Sequence, residues 1–74
     1  MKYNYNKLRG KIKEVFGTPQ ELCKQLHCSE RTLSYNLSNK LRWKHDEILN
    51  VIQLLGLNIE DIPKYFFDYE VQNI

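Results

Sequence analysis

Apolar clusters along this chain fall on a helical period, so helices are predicted throughout. Leu8, Ile12, Val15 and Phe16 follow the i, i+4, i+7, i+8 spacing of one helix face, which predicts a first helix from about Tyr5 to Phe16, stopped by Gly17. Lys7, Arg9, Lys11 and Lys13 fall on its other faces. Gly10 in mid-helix costs up to about 1 kcal/mol and points to a close backbone contact, with another helix or with a ligand.

The second helix carries the clearest start signal: Thr18 as N-cap, Pro19 at the first helical position and Glu21 at the third, the pattern of a capping box. It ends near Leu26, with Leu22, Cys23 and Leu26 facing inward. Ser29 caps a third helix that reaches about Ser38 on a seam of Leu33 and Leu37. At about 100° per residue, Arg31 and Tyr35 point directly away from that seam, with Ser34 and Ser38 beside them. That outward face is small, polar and able to hydrogen-bond.

Beyond "NKLRWK" a fourth helix is predicted from about His45 to Leu55, with Asp46 and Glu47 in its first turn, Ile48, Val51, Ile52 and Leu55 inside, and Gly56 closing it. Leu49 and Leu54 flank this stripe and either extend the core or meet a second copy. Asn58 caps a short fifth helix, "IEDIPKYFF", that packs Ile59, Ile62, Phe66 and Phe67. The tail "DYEVQNI" alternates weakly at Tyr69 and Val71, so it either frays or forms a strand on pairing with a partner. The expectation is one all-α domain of five short helices over residues 1–67, followed by a tail over 68–74.

Length and composition narrow the function. A chain of 74 residues buries only about 60% of the surface its unfolded form exposes, and it leaves no room for a cleft between domains. Cys23 and Cys28 lie inside the helical stretch and "MKYNYNKLRG" has no apolar signal segment, which points to a reduced, cytoplasmic protein. Apolar runs such as "VIQLLGL" fall far short of the roughly 20 residues a membrane helix needs, so a soluble protein with no membrane partner is expected. The net charge of +2 hides a polarity: residues 1–44 hold ten Lys or Arg against Glu14, Glu21 and Glu30, whereas residues 45–74 hold Lys64 against six acids. The first part therefore carries +7 and the second −5. A basic segment of this kind is the footprint of a phosphate-binding face, and an acidic one suits solvent or a protein partner.

Two short capped helices joined by a turn of three or four residues, the second exposing a polar face, form a helix-turn-helix arrangement. In DNA recognition the second helix enters the major groove, about 12 Å wide, while the N-terminus of the first directs backbone N–H groups at a phosphate. The core "TPQELCKQLHCSERTLSYNLSNK", with "KLRGKIKEVFGT" before it and "LRWKHDEI" and "LLGLNIEDIPKYFF" after, resembles the small Cro-type regulators of temperate phages of Gram-positive bacteria, a branch of the lambda-repressor-like family. The resemblance covers nearly the whole chain. It implies action at a lysis–lysogeny switch, either by occupying double-stranded operator DNA or as a modulator that binds the resident phage repressor and blocks it.

The same resemblance places the base-reading positions on Glu30, Arg31 and Tyr35, the last two already on the outward face. Arg31 can bind guanine O6 and N7 as a bidentate pair worth about 1–3 kcal/mol of discrimination, while Ser34 and Ser38 read base edges less selectively. Lys40, Arg42 and Lys44 are expected on the phosphate backbone, together with Thr18 and Gln20 at the start of the second helix. Two positions depart from the family pattern. Pro19 replaces a glutamine that holds a phosphate in many relatives, and His27 replaces the usual glycine of the turn, where φ > 0 would cost it roughly 1–3 kcal/mol.

Other chemistries are poorly supported. Cys23, His27, Cys28 and His45 include an i, i+4 pair, but no paired C-x-x-C exists and Cys23 falls at a core position, so no metal or other cofactor is expected. No acid, base and nucleophile converge at recognisable spacing, so neither an enzyme nor a small-molecule substrate is expected. Trp43 either stacks on a nucleic acid or covers the core. Two readings stay open: an operator-binding dimer with its third helix in the major groove, and an antirepressor whose third-helix face or acidic C-terminal third binds a repressor's DNA-binding domain.

Overall fold

A computed structural model describes residues 2–69. Five α-helices build it: α1 (Asn6–Phe16), α2 (Pro19–Leu26), α3 (Glu30–Leu37), α4 (His45–Leu54) and α5 (Ile62–Phe66). None exceeds 11 residues, and isolated helices shorter than about 12–15 residues are marginal in water, so packing must hold them. α2 sits centrally against α1, α3 and α4, while α5 closes the other side against α1 and α4. Leu8, Ile12, Leu22, Leu33, Val51 and Phe66 are essentially fully buried, so every helix supplies at least one anchor to a single core. Each such burial stabilises by about 1.5–3 kcal/mol.

The apolar stripe of α1 is narrower than its spacing suggests. Leu8 and Ile12 are buried and Phe16 is half-buried, but Val15 stays 44% exposed. Relative to Ile12, Val15 lies about 60° around the helix on the side away from Phe16, and the neighbouring helices do not reach it. Gly10 meets no close contact either: a Cβ placed there would touch nothing within 4 Å. The expected close approach of another helix is therefore not found among the described residues.

α2 begins at Thr18 and Pro19, as expected, but the capping box does not form. The Thr18 side chain makes no cap hydrogen bond, and Glu21 accepts from Lys24 Nζ at 3.1 Å instead of reaching back. Glu21 and Lys24 stand three residues apart, where an ion pair contributes about 0.2–0.5 kcal/mol. At the start of α3 the cap is real: Ser29 Oγ accepts from the Thr32 N–H at 3.1 Å.

Two helix ends share one motif. α2 ends on His27 in the left-handed region (φ 57°, ψ 37°), and the N–H groups of His27 and Cys28 both donate to the Cys23 carbonyl. α4 ends with Gly56 at φ 71°, the Leu57 N–H donating to the Ile52 carbonyl at 2.8 Å. In both, the bond spanning six residues is that of a Schellman motif, whose outer pair of side chains is normally apolar. Ile52 and Leu57 form that pair in α4, and Cys23 and Cys28 form it in α2.

The fifth helix is broken where one continuous helix was expected. Ile59–Asp61 form a 3-10 turn, with the Asn58 N–H donating to Asp61 Oδ2 at 3.1 Å, and α5 starts only at Ile62. Pro63 lacks an N–H and is favoured in a first helical turn, which restarts the helix there. The offset turns Ile59 outward, 70% exposed, and leaves Phe67 at 44%, so neither joins the core as expected.

Candidate functional site

The outward face of α3 carries Glu30, Arg31, Ser34, Tyr35 and Ser38, all exposed, because Leu33, Asn36 and Leu37 take the inward positions. Among the described residues Arg31 has no acidic partner within ion-pair distance, unlike Lys7, Lys11 and Lys24, which pair with Asp68, Glu14 and Glu21. Tyr35 is 42% exposed, with Lys40 Nζ 5.6 Å from its ring centroid. Ser38 Oγ donates to the Ser34 carbonyl, so its proton is used within the helix and only its lone pairs face outward. The helix then ends tightly: the Tyr35 carbonyl accepts from the N–H groups of Ser38, Lys40 and Leu41, and Asn39 turns the chain at φ 65°.

Thr18 and Gln20 are exposed at the start of α2. A cleft of about 240 Å³ brings Gln20 and Pro19 together with Glu30 and Ser34 of α3, floored by Cys23 and Leu33. This is a poor phosphate seat. Pro19 has no N–H to offer, and Glu30 sets a negative charge beside the helix N-terminus where a phosphate would dock. Arg9, beside the same cleft, is committed to the fold: its Nη2 donates to the Leu37 carbonyl at 3.0 Å, capping α3.

Lys40, Arg42 and Lys44 are exposed in the loop between α3 and α4, and none of them lines the cleft at the α2 start. Arg42 lines a larger groove of about 540 Å³, with Leu41, Trp43, Tyr3, Phe67 and Tyr69. Trp43 covers the core there, edge-on to Phe66 at 5.1 Å, so of its two readings the packing one holds. Tyr3 and Tyr5 also pack, as their apolar bodies suggest, and Tyr5 is buried. Burial raises the Tyr5 phenol above its ordinary value; the nearby Trp43 indole opposes that rise, although among the described residues its N–H has no partner in hydrogen-bond geometry.

One component of this corner escaped the sequence. Asn39 clasps the backbone of Tyr3, accepting from its N–H at 2.9 Å and donating to its carbonyl at 2.9 Å. Tyr3 in turn bridges Tyr69 in antiparallel fashion, and the Asn4 N–H donates to the Asp68 carbonyl. Asp68 and Tyr69 therefore pair with the N-terminal stretch of the same chain; Val71 and the rest of 70–74 lie outside the described residues. The Tyr3 ring lies 4.7 Å from Tyr69 and 5.6 Å from Phe67, leaving Leu41, Phe67 and Tyr69 each nearly half exposed. The hydrogen bond to Tyr69, with some burial, raises the Tyr3 phenol above its usual range. The only sequence signal for the clasp was an Asn at a helix end, where side-chain amides tolerate the left-handed region.

Among the described residues no group of three or more His, Cys, Asp or Glu side chains can hold a metal ion. No helix among them is long and apolar enough to cross a membrane. Leu49 and Leu54 are half-buried and pack against the core.

The family described as "Protein of unknown function (DUF739)" matches residues 1–69. No curated protein matches the chain. A solved structure similar to it is the solution structure of the modulator of repression of the temperate bacteriophage TP901-1 from Lactococcus lactis, with 47% sequence identity, 97% of each chain covered and a TM-score of 0.80. Of the two types joined in the resemblance read from the sequence, the similarity is to the repressor-modulating one, and nothing in it supports the Cro type.

Proposed function

The chain belongs to the family described as protein of unknown function DUF739, and from that premise we propose that it is a phage modulator of repression that binds a repressor's DNA-binding domain and keeps it off its operator. The observation that carries this reading is the 47% identity, over 97% of both chains, to a phage modulator of repression. The surface agrees with it. A reader of DNA needs a phosphate anchor at the α2 N-terminus, and Pro19 and Glu30 oppose one there. A protein partner instead needs partly desolvated apolar and aromatic side chains near cations, which Leu41, Phe67, Tyr69 and Arg42 provide. Acidic residues 45–74 complement the basic surface that a DNA-binding domain presents.

Gel-shift titration over the switch region, with and without the neighbouring repressor, tests the proposal. The chain alone is expected to give no sequence-specific shift and to abolish the shift of the repressor. Specific binding by the chain alone, weakening steeply with salt, would instead favour the operator-binding reading.

A further inference from the structure

The turn between α2 and α3 holds a pair of thiols at the two ends of one backbone ring. The Cys28 N–H donates to the Cys23 carbonyl at 3.2 Å, closing the six-residue ring of the Schellman motif. A side-chain contact between the first and last residues of the ring frequently accompanies that motif; the α4 end closes the same backbone ring with Ile52 and Leu57. Both cysteines are free, Cys23 buried at 4% exposure and Cys28 half-buried and so reachable from solvent. His27 between them is locked in the left-handed conformation, which keeps the ring closed.

We propose that Cys23 and Cys28 are a site of reversible oxidation, closing to an intramolecular disulfide across the turn when a low-molecular-weight disulfide is present. The Cys28 thiolate attacks one sulfur of the reagent, forming a mixed disulfide and releasing one thiolate. The Cys23 thiolate then attacks the Cys28 sulfur, and the second reagent thiolate leaves. The two protein thiols are oxidised, the reagent is reduced to two thiols, and the two protons lost by the cysteines end on them. Because the new bond joins the two ends of a ring that the backbone already closes, the fold can be kept.

The order of attack follows from the environment. Burial pushes the Cys23 thiol up to about 11, and neighbouring Cys28 adds to the rise, so Cys23 is a poor first nucleophile and serves as the resolving thiol. Burial of Cys23 persists in the mixed disulfide, so its thiolate fraction, and with it the rate of resolution, is expected to rise between pH 7 and 9.

The test treats the folded full chain with oxidised glutathione and follows mass and free thiols. The expected product is a monomer lacking two hydrogens and both free thiols, melting on the order of 5–10 °C higher than the reduced chain. Cys23→Ala is expected to stop at a stable glutathione adduct on Cys28, and Cys28→Ser, which alters only the half-buried position, to leave Cys23 unreacted while folded. A disulfide-linked dimer, a lasting adduct on Cys28 in the unaltered chain, no reaction, or a lowered melting temperature on closure would each overturn the proposal.

Discussion

The outward face of α3 and the aromatic corner at the chain termini are both exposed, but they are built differently. The α3 face consists of residues within nine positions of one another, Glu30 to Ser38, displayed by one helix whose opposite side is anchored by Leu33 and Leu37. Its side chains hold little of the fold together. The corner joins Tyr3, Asn39, Trp43, Phe66 and Tyr69, residues up to 66 positions apart, and its members grip one another and the core. The difference separates a surface that can change its chemistry at little cost to stability from one whose recognition and folding are the same contacts.

That distinction breaks most visibly at Phe66. It is 1% exposed and edge-on to Trp43, so Phe66→Ala is expected to cost about 3–5 kcal/mol, enough to unfold much of a chain this small at 25 °C. Urea denaturation followed by circular dichroism measures it. A loss below about 1 kcal/mol would mean that the corner is not tied to the core.

A smaller effect is expected at Asn39. Asn39→Ala removes both bonds to Tyr3 and places a less tolerant residue at φ 65°, a loss of about 1–3 kcal/mol. Asn39→Gly keeps the turn and removes only the clasp, so the difference between the two substitutions isolates the backbone contribution. Amide exchange at Tyr3 should quicken in both.

The smallest effect on stability belongs to α3. Arg31→Ala, exposed and without an acidic partner, is expected to shift stability by no more than about 0.5 kcal/mol. If the same substitution weakens capture of the repressor, the outward face is part of the docking surface; if capture is unchanged while Phe67→Ala weakens it, the docking surface is the corner. Isothermal titration with the repressor's DNA-binding domain distinguishes these outcomes.

Much of the fold was legible in the chain. Four helices appear within one or two residues of their expected bounds, the Ser29 cap forms, and His27 takes the left-handed conformation that its place in the turn required. These features depend on local spacing and backbone chemistry. The misreadings share another origin: Val15 and Ile59 lie on apolar periods, yet whether a stripe is covered depends on which helix reaches it. Thr18 and Glu21 had the residues of a capping box, but Lys24 one turn on offered Glu21 another partner. For the candidate site, the sequence identified the exposed face of α3 and the loop cations. It did not show that Glu30 faces Gln20 across a cleft, or that Arg42 turns toward aromatic residues from both ends of the chain.

The sequence by itself determined the all-helical class, the positions of the turns and the division of charge between a basic and an acidic part, because each depends on residues within a turn or two of one another. Only the tertiary structure decided that Asn39 holds Tyr3, that Tyr69 returns to pair with the N-terminus, and that two cysteines of a helical run close the same ring as Ile52 and Leu57. Contacts between distant residues follow from how short helices cover one another's faces, and that depends on all of them at once.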